Sequence, residues 1–427
     1  MAYRVAGIDV HKRMLAVAVA DVEVEGAWRF ERRQFGTSPS ELRAIAEWFV
    51  TCAVEEVVME STAQYWRPVW DVLERDWQPL RRASADAGPT SGALHLAQAQ
   101  SNAAPHGRKQ DFPDAERLVK RLVAQELTLS FVPEATQRLW RTVTRRKYQV
   151  TCTRVQRQNR LECLLEAMHI KVSSLVADLL GSSARRMLRA LADGETDPAA
   201  VAALGSRRLH ATPVQLRDAL GPCADLHPVY RRLLALILEE LDVIERQRHA
   251  LDDELAGLLR VHQDVVQRLA AVPGLGVDSA QQIIAEVGPT AATFATAKRL
   301  ASWMGACPGH EESAGINQSR RSPHGNRQMR RLLNQAANAA AKTKGSIFEV
   351  VYRRLVVRLG HAQTIGAITH RLCRLVWKIL HDGVAYEERG PAVTQARAQR
   401  RAAKMIRELR ALGYSVALAA APAANPA

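Results

Sequence analysis

Three things are scarce in this chain, and each scarcity removes a class of protein. Its 427 residues hold six cysteines (Cys52, Cys152, Cys163, Cys223, Cys307 and Cys373), no two of them in a CxxC pair. These cysteines suggest neither a disulfide framework nor a cysteine zinc site, and a reducing cytoplasm is the expected compartment. No apolar run reaches the roughly 18 residues a membrane span needs, and the first residues show no signal-peptide pattern. Acids are the third shortage: 44 Asp and Glu face 59 Lys and Arg, a formal net charge of +15.

The excess of positive charge is not spread evenly. Residues 1–150 carry 21 basic and 19 acidic side chains, and residues 151–262 carry 15 of each. Residues 263–427 carry 23 basic against 10 acidic. A polyanionic partner is implied, and chiefly for the last third. With 47% apolar and 24% charged residues, the chain is globular and too long for one core, so two or three domains are expected.

The first 130 residues alternate strand and helix signals. In "VAGIDVHKRMLAVAVAD", Val5–Val10 and Met14–Ala20 read as two strands joined by a tight turn. Trp28–Phe35 reads as a third strand, "SPSELRAIAEWFV" as a helix capped by Ser38 or Ser40, and "VEEVVMEST" as a strand ending at Glu60. Helices follow from about Gln64 to Arg75 and over "DFPDAERLVKRLVAQ". This α/β plan resembles the RNase H-like fold. From about 136 to 262 the pattern is helical. There Leu234, Ile237, Leu241, Ile244, Arg248, Leu251, Leu255 and Leu258 step by three and four, a heptad seam that fits either another helix of the chain or a dimer partner. The Pro- and Gly-punctuated stretch 192–228 gives no clear pattern. "VPGLGVDSAQQIIAEVG" matches a helix-hairpin-helix turn, where Gly274 and Gly276 leave backbone N–H groups free for a phosphate. Residues 328–380 read as Arg-studded helix, and the tail "ALAAAPAANPA" as disordered.

A charged Asp9 at the end of an apolar strand asks for compensation, since an unpaired buried carboxylate costs several kcal/mol. Glu60 ends another strand, and Asp111 and Asp114 lie three apart, on one face of a helix. Each acid alone has an ordinary explanation, a turn cap or an acidic helix start. Four together at strand and helix ends form a hard-oxygen donor set suited to Mg²⁺ and to phosphoryl chemistry. A sugar-kinase or actin-like reading of the same strand fails, because Val10-His11-Lys12 stands where those proteins carry a small phosphate-wrapping hairpin. Lys12, Arg108 and Lys109 flank the acids and are candidates for phosphate contacts.

The segment "WMGACPGHEESAGINQSRRSPHGNRQMRRLL" places Ser313 in a Ser-Ala-Gly turn, followed by Arg320, Arg321, Arg327, Arg330 and Arg331. A serine beside small residues and a field of arginines is suited to meet a phosphodiester, either as a nucleophile or as part of a DNA-binding loop.

"GIDVHK", "MESTAQYWRPVW", "GRKQDFPDAERL", "SFVPE", "NRLECLLEA", "VPGLGVDSAQQIIAEVG", "ASWMGACPG", "ESAG" and "HGNRQMRRLL" occur in one order. By these motifs, over about 400 residues, the sequence resembles the IS110 family of insertion-sequence transposases. That resemblance implies Asp9, Glu60, Asp111 and Asp114 as a Mg²⁺-binding DEDD set in a RuvC-like domain and Ser313 as the nucleophile. It also implies donor and target DNA, a noncoding bridge RNA as guide, and a homo-oligomer, dimer or tetramer, in a prokaryotic cytoplasm. Gln110 stands where the family usually has Thr or Ser, and Ile316 where it has Lys or Arg. The expected plan is an RNase H-like domain over 1–135, a helical and coiled-coil region over 136–262, a mostly helical serine domain over 263–390, and a basic helix with tail over 391–427. A metal-dependent junction resolvase or nuclease using water is the alternative.

Overall fold

The computed structural model describes residues 3–22, 28–60, 63–77, 94–99, 111–206, 209–307, 311–313, 316–319, 322–412 and 415–416. The chain divides into two compact units, Met1–Ala135 and Thr136–Ala427.

The first unit is built on β1 (Tyr3–Val10), β2 (Met14–Val22), β3 (Phe30–Gly36), α1 (Pro39–Thr51), β4 (Glu56–Glu60), α2 (Trp66–Asp76), β5 (Leu94–Ala97), α3 (Asp111–Val123) and β6 (Leu129–Ser130). The sheet order is β3-β2-β1-β4-β5-β6. Strands β1, β2 and β3 are antiparallel, β4 and β5 run parallel to β1, and β6 is antiparallel to β5. This mixed sheet has the strand order and directions of an RNase H-like domain. Val5–Val10 is buried throughout, as its continuous apolar run requires of a strand covered on both faces.

Alternation along β1 assigns the faces. Ala6, Ile8 and Val10 pack with Ile45 and Phe49 of α1 and Leu73 of α2. Val5 packs on the other face against Val119 of α3, so Gly7 and Asp9 share that face. Val58 of β4 likewise meets Leu118 of α3, which puts Glu60, two residues on, on the same side. The Ser38 side chain caps α1, accepting from the Glu41 N–H.

Among its described residues the second unit is helical apart from one hairpin. It comprises α4 (Ala135–Ala167), α5 (Ser182–Asp193), α6 (Pro198–Ala203), α7 (Pro213–Leu220), α8 (Pro228–Leu258), α9 (Gln263–Ala270), α10 (Val277–Val287), α11 (Ala297–Met304), β7 (Glu311–Ser313), β8 (Ile316–Ser319), α12 (Arg327–Lys342), α13 (Ile347–His381) and α14 (Gly390–Ala411). In the stretch that gives no clear sequence pattern, α6 and α7 start at Asp197-Pro198 and Thr212-Pro213. Both are capping side chains followed by proline at the first helical position.

The heptad seam resolves inside the chain. Leu234, Ile237 and Leu241 are buried in one core with Leu161 and Leu165 of α4 and with Met187 and Leu188 of α5. Arg157 pairs with Glu240 at 2.5 Å, Arg154 with Glu245 at 2.6 Å, and Lys147 with Asp252. Numbers rise along α4 as they fall along α8, so the two helices run antiparallel. Arg248, the polar seam residue, pairs with Glu245. A second core joins Trp140 of α4 and Leu255 of α8 to the helices from α9 to α13. The expected division at 262/263 therefore falls within a continuous core. The tail expected to be disordered lies outside the described residues.

Candidate metal centre and serine hairpin

Gly7 explains how the acids come together. A Cβ there would lie 2.2 Å from the Ala115 carbonyl oxygen and 2.9 Å from Val119, so only glycine lets α3 settle on β1. Asp9 is two residues beyond Gly7 on the strand, and Asp111 is one helical turn before Ala115. The close approach at Gly7 thus carries the start of α3 to the end of β1. An ion pair from Arg32 of β3 to Glu116, at 2.6 Å, holds the same helix.

At this junction Asp9, His11 and Asp111 converge, with one ligand atom from each lying within 4.8 Å of the others. His11 Nε2 is 3.2 Å from Asp9 Oδ2 and 3.1 Å from Asp111 Oδ1. Asp9 is 8% exposed. Burial pushes its carboxyl above the ordinary range, the charges of Asp114 and Asp111 add to that, and His11 pulls the other way. Asp114 turns towards its own helix, pairing with Arg117 at 2.5 Å. Glu60 ends β4, one residue past the Ile8–Met59 pair of the β1–β4 ladder and on the face of Asp9. Two carboxylates and an imidazole around a buried, crowded charge are a donor set that fits a divalent cation. His11 is the member that sequence reasoning missed. Its partner Asp111 lies 100 residues away, and the only signal was its position next to Asp9.

Ser313 is the last residue of β7, paired with Ile316 of β8. It therefore closes the first strand of a hairpin, next to Ala314 and Gly315, which lie outside the described residues. Beyond β8 the chain is anchored at Asn326, whose Oδ1 caps α12 by accepting from the Met329 N–H at 2.9 Å. Its Nδ2 donates to Glu286 at 2.9 Å. Glu286, 3% exposed, also accepts two hydrogen bonds from Arg145, at 3.0 and 3.1 Å. Arg141 donates to the carbonyls of Ala285 and Glu286. A buried carboxylate satisfied this fully ties α4, α10 and the start of α12 into one rigid frame.

The basic candidates differ in what holds them. Lys12 is exposed in the β1–β2 turn, and Arg327 is exposed on the first turn of α12. Arg330 has an internal task, donating to the carbonyls of Pro323 and Met304. Arg331 lies 3.9 Å from the centre of the Tyr148 ring and donates to Gln282 and Gln335. Arg108, Lys109, Arg320 and Arg321 lie outside the described residues. Gly274, with φ of +85°, is required by packing: a Cβ would meet the Ala336 carbonyl at 2.2 Å. Gly276 caps α10 with nothing within 4 Å of where its Cβ would be. The α10 N-terminus is therefore open on that side.

A mixed sheet with carboxylates at the ends of β1 and β4 and at the start of α3, followed by a basic helical unit, fits a DEDD-type transposase. Residues 6–170 match the family model for the DEDD transposase of IS110. Residues 266–353 match the transposase IS116/IS110/IS902 family. The chain belongs to the IS110 family of transposases. It is 28% identical over 157 residues to an uncharacterized 43.6 kDa protein of insertion element IS110 from Streptomyces coelicolor, covering 36% of this chain and 38% of that protein. It is 26% identical over 191 residues to an uncharacterized 42 kDa protein of insertion element IS900 from Mycobacterium paratuberculosis, covering 44% and 46%. The match thus spans less than half the length of either relative. Among solved structures, Thermus thermophilus RuvC is similar at 14% identity with a TM-score of 0.20, over 30% of this chain and 99% of that one.

Proposed function

We propose that this chain is a DNA recombinase that cuts and rejoins strands through a covalent serine intermediate. The observation that carries the reading is the convergence of Asp9 and Asp111 at the end of β1 of an RNase H-like sheet, in a chain of a transposase family. Asp9, Glu60, Asp111 and Asp114 would hold Mg²⁺, which when bound supplies positive charge for a phosphorane and lowers the pKa of an attacking hydroxyl. Asp114 would first have to leave Arg117. Ser313 Oγ gives up its proton and bonds to phosphorus. One DNA oxygen departs with the electron pair of the broken P–O bond and takes up a proton. The phosphoserine keeps the ester's energy, so a second DNA hydroxyl can reverse the step with a new partner. Arg320, Arg321, Arg327 and Arg331, with the open α10 N-terminus at Gly276, would hold backbone phosphates. Donor and target DNA are the substrates. A noncoding bridge RNA as guide and a homo-oligomeric assembly complete the proposal, and both rest on family likeness alone.

The test is incubation with Mg²⁺, guide RNA and end-labelled DNA, read as label that migrates with protein on a denaturing gel. Wild type should give the adduct, Ser313→Ala should lose adduct and cleavage together, and Ser319→Ala and Ser322→Ala should keep both. Cleavage by Ser313→Ala at a near wild-type rate would replace this reading with a nuclease or junction resolvase in which water attacks.

A further inference from the structure

The metal centre contains a group outside the four acids. His11 stands between Asp9 and Asp111, with Nε2 at 3.2 Å and 3.1 Å from one carboxylate oxygen of each. Neighbouring ligands of an octahedral ion bound at about 2.1 Å lie about 3 Å apart, which is the spacing His11 Nε2 already has to each of the two carboxylate oxygens. The turn that presents His11 is fixed, because its backbone N–H donates to the Met14 carbonyl at 3.0 Å. Asp9 is buried at the end of β1, and α3 is seated on Gly7. The imidazole is therefore carried by the same rigid corner as the carboxylates.

We propose that His11 is a direct ligand of the divalent ion, making this a mixed nitrogen–oxygen site that prefers Mn²⁺ to Mg²⁺. This rests on the reading that the acidic cluster holds a metal. The selectivity follows from ligand chemistry. Mg²⁺ favours carboxylate and water oxygens, whereas an imidazole nitrogen adds affinity for the first-row transition ions. A DEDD set of oxygens alone gives no such preference for nitrogen-accepting ions.

The experiment uses the full chain with Mn²⁺ or Mg²⁺ alone, without DNA. Binding is read by calorimetry, and the ligands of bound Mn²⁺ are read by electron spin-echo modulation, which detects a directly bonded nitrogen-14. Wild type should bind Mn²⁺ about ten-fold or more tighter than Mg²⁺ and show nitrogen coupling. His11→Ala should lose the coupling and most of the preference while its Mg²⁺ affinity changes by less than about three-fold. Circular dichroism on the same sample establishes that the variant is folded, and His11→Gln provides a second variant of similar bulk that lacks the imidazole. Bound Mn²⁺ without nitrogen coupling, or an unchanged preference in both variants, would overturn the role of His11 and leave the metal reading standing. Failure of wild type to bind either ion would overturn the metal reading itself.

Discussion

At the scale of single residues, the centre is held together against its own charge. Asp9 is buried with Asp111 and Asp114 close enough to disfavour its ionised form, and His11 compensates only in part. Replacing Asp9 by Asn removes a charge and keeps the shape, so the metal-free protein should melt at the same temperature or a few degrees higher. The stabilisation that added Mn²⁺ or Mg²⁺ confers on wild type should vanish in the same variant, since ligand-linked stability needs the binding site. Differential scanning calorimetry with and without metal checks both halves. A lower melting temperature without metal would mean that Asp9 is chiefly a partner for His11. Asp114 would not show the same relief, because it has a cation of its own in Arg117. The acids were legible in the sequence because a carboxylate ending an apolar strand is an anomaly. His11 was not, because a lone histidine after a strand has many uses, and only the fold brings Asp111 to it.

At the scale of elements, the site depends on one helix reaching one strand. Most strands and helices could be read from period and caps, and α1 is capped by Ser38, one of the two caps the sequence offers. The reason for Gly7 could not, because it concerns the Ala115 carbonyl more than 100 residues away. Nor could the partner of the heptad seam, since a period gives the face of a helix and not its neighbour. The core shared with Leu161 and Leu165 of α4 and with Met187 and Leu188 of α5, with ion pairs from Arg154, Arg157, Arg185 and Arg189, places that face against both α4 and α5. Gly7→Ala should push α3 away from β1 by overlap with backbone that cannot yield, at a cost of about 1–3 kcal/mol. Metal affinity, measured by the same calorimetric titration, should fall along with the melting temperature. Val119→Ala is the comparison, as it weakens the packing of α3 without forcing it outwards, and should lower melting while sparing most metal binding. Equal metal affinity in Gly7→Ala and wild type would show that the acids do not depend on this contact.

At the scale of the molecule, charge separates two tasks. The first unit is nearly neutral and holds the acids, whereas the basic excess lies beyond residue 262. Much of it gathers on α14, whose sequence holds Arg397, Arg400, Arg401, Lys404, Arg407 and Arg410 and a single acid, Glu408. Arg400, Arg401, Lys404 and Arg407 are all exposed. A helix so charged and so open is poorly explained by packing and well explained by a polyanion. Because binding releases counterions, each phosphate contact adds about 0.9 to the slope of log affinity against log salt on duplex DNA. In the full chain, changing those four residues to Gln should lower the slope by up to about three or four units. Changing Arg29, Arg43, Arg67 and Arg75 of the first unit removes the same charge, and should leave the slope within about one unit of wild type. Filter binding or fluorescence anisotropy across a salt series, with one duplex and no metal, gives both numbers. An equal fall for the two sets would mean that net charge alone draws the nucleic acid in. A fall confined to the first-unit set would move the interface to the acidic domain, against the charge distribution.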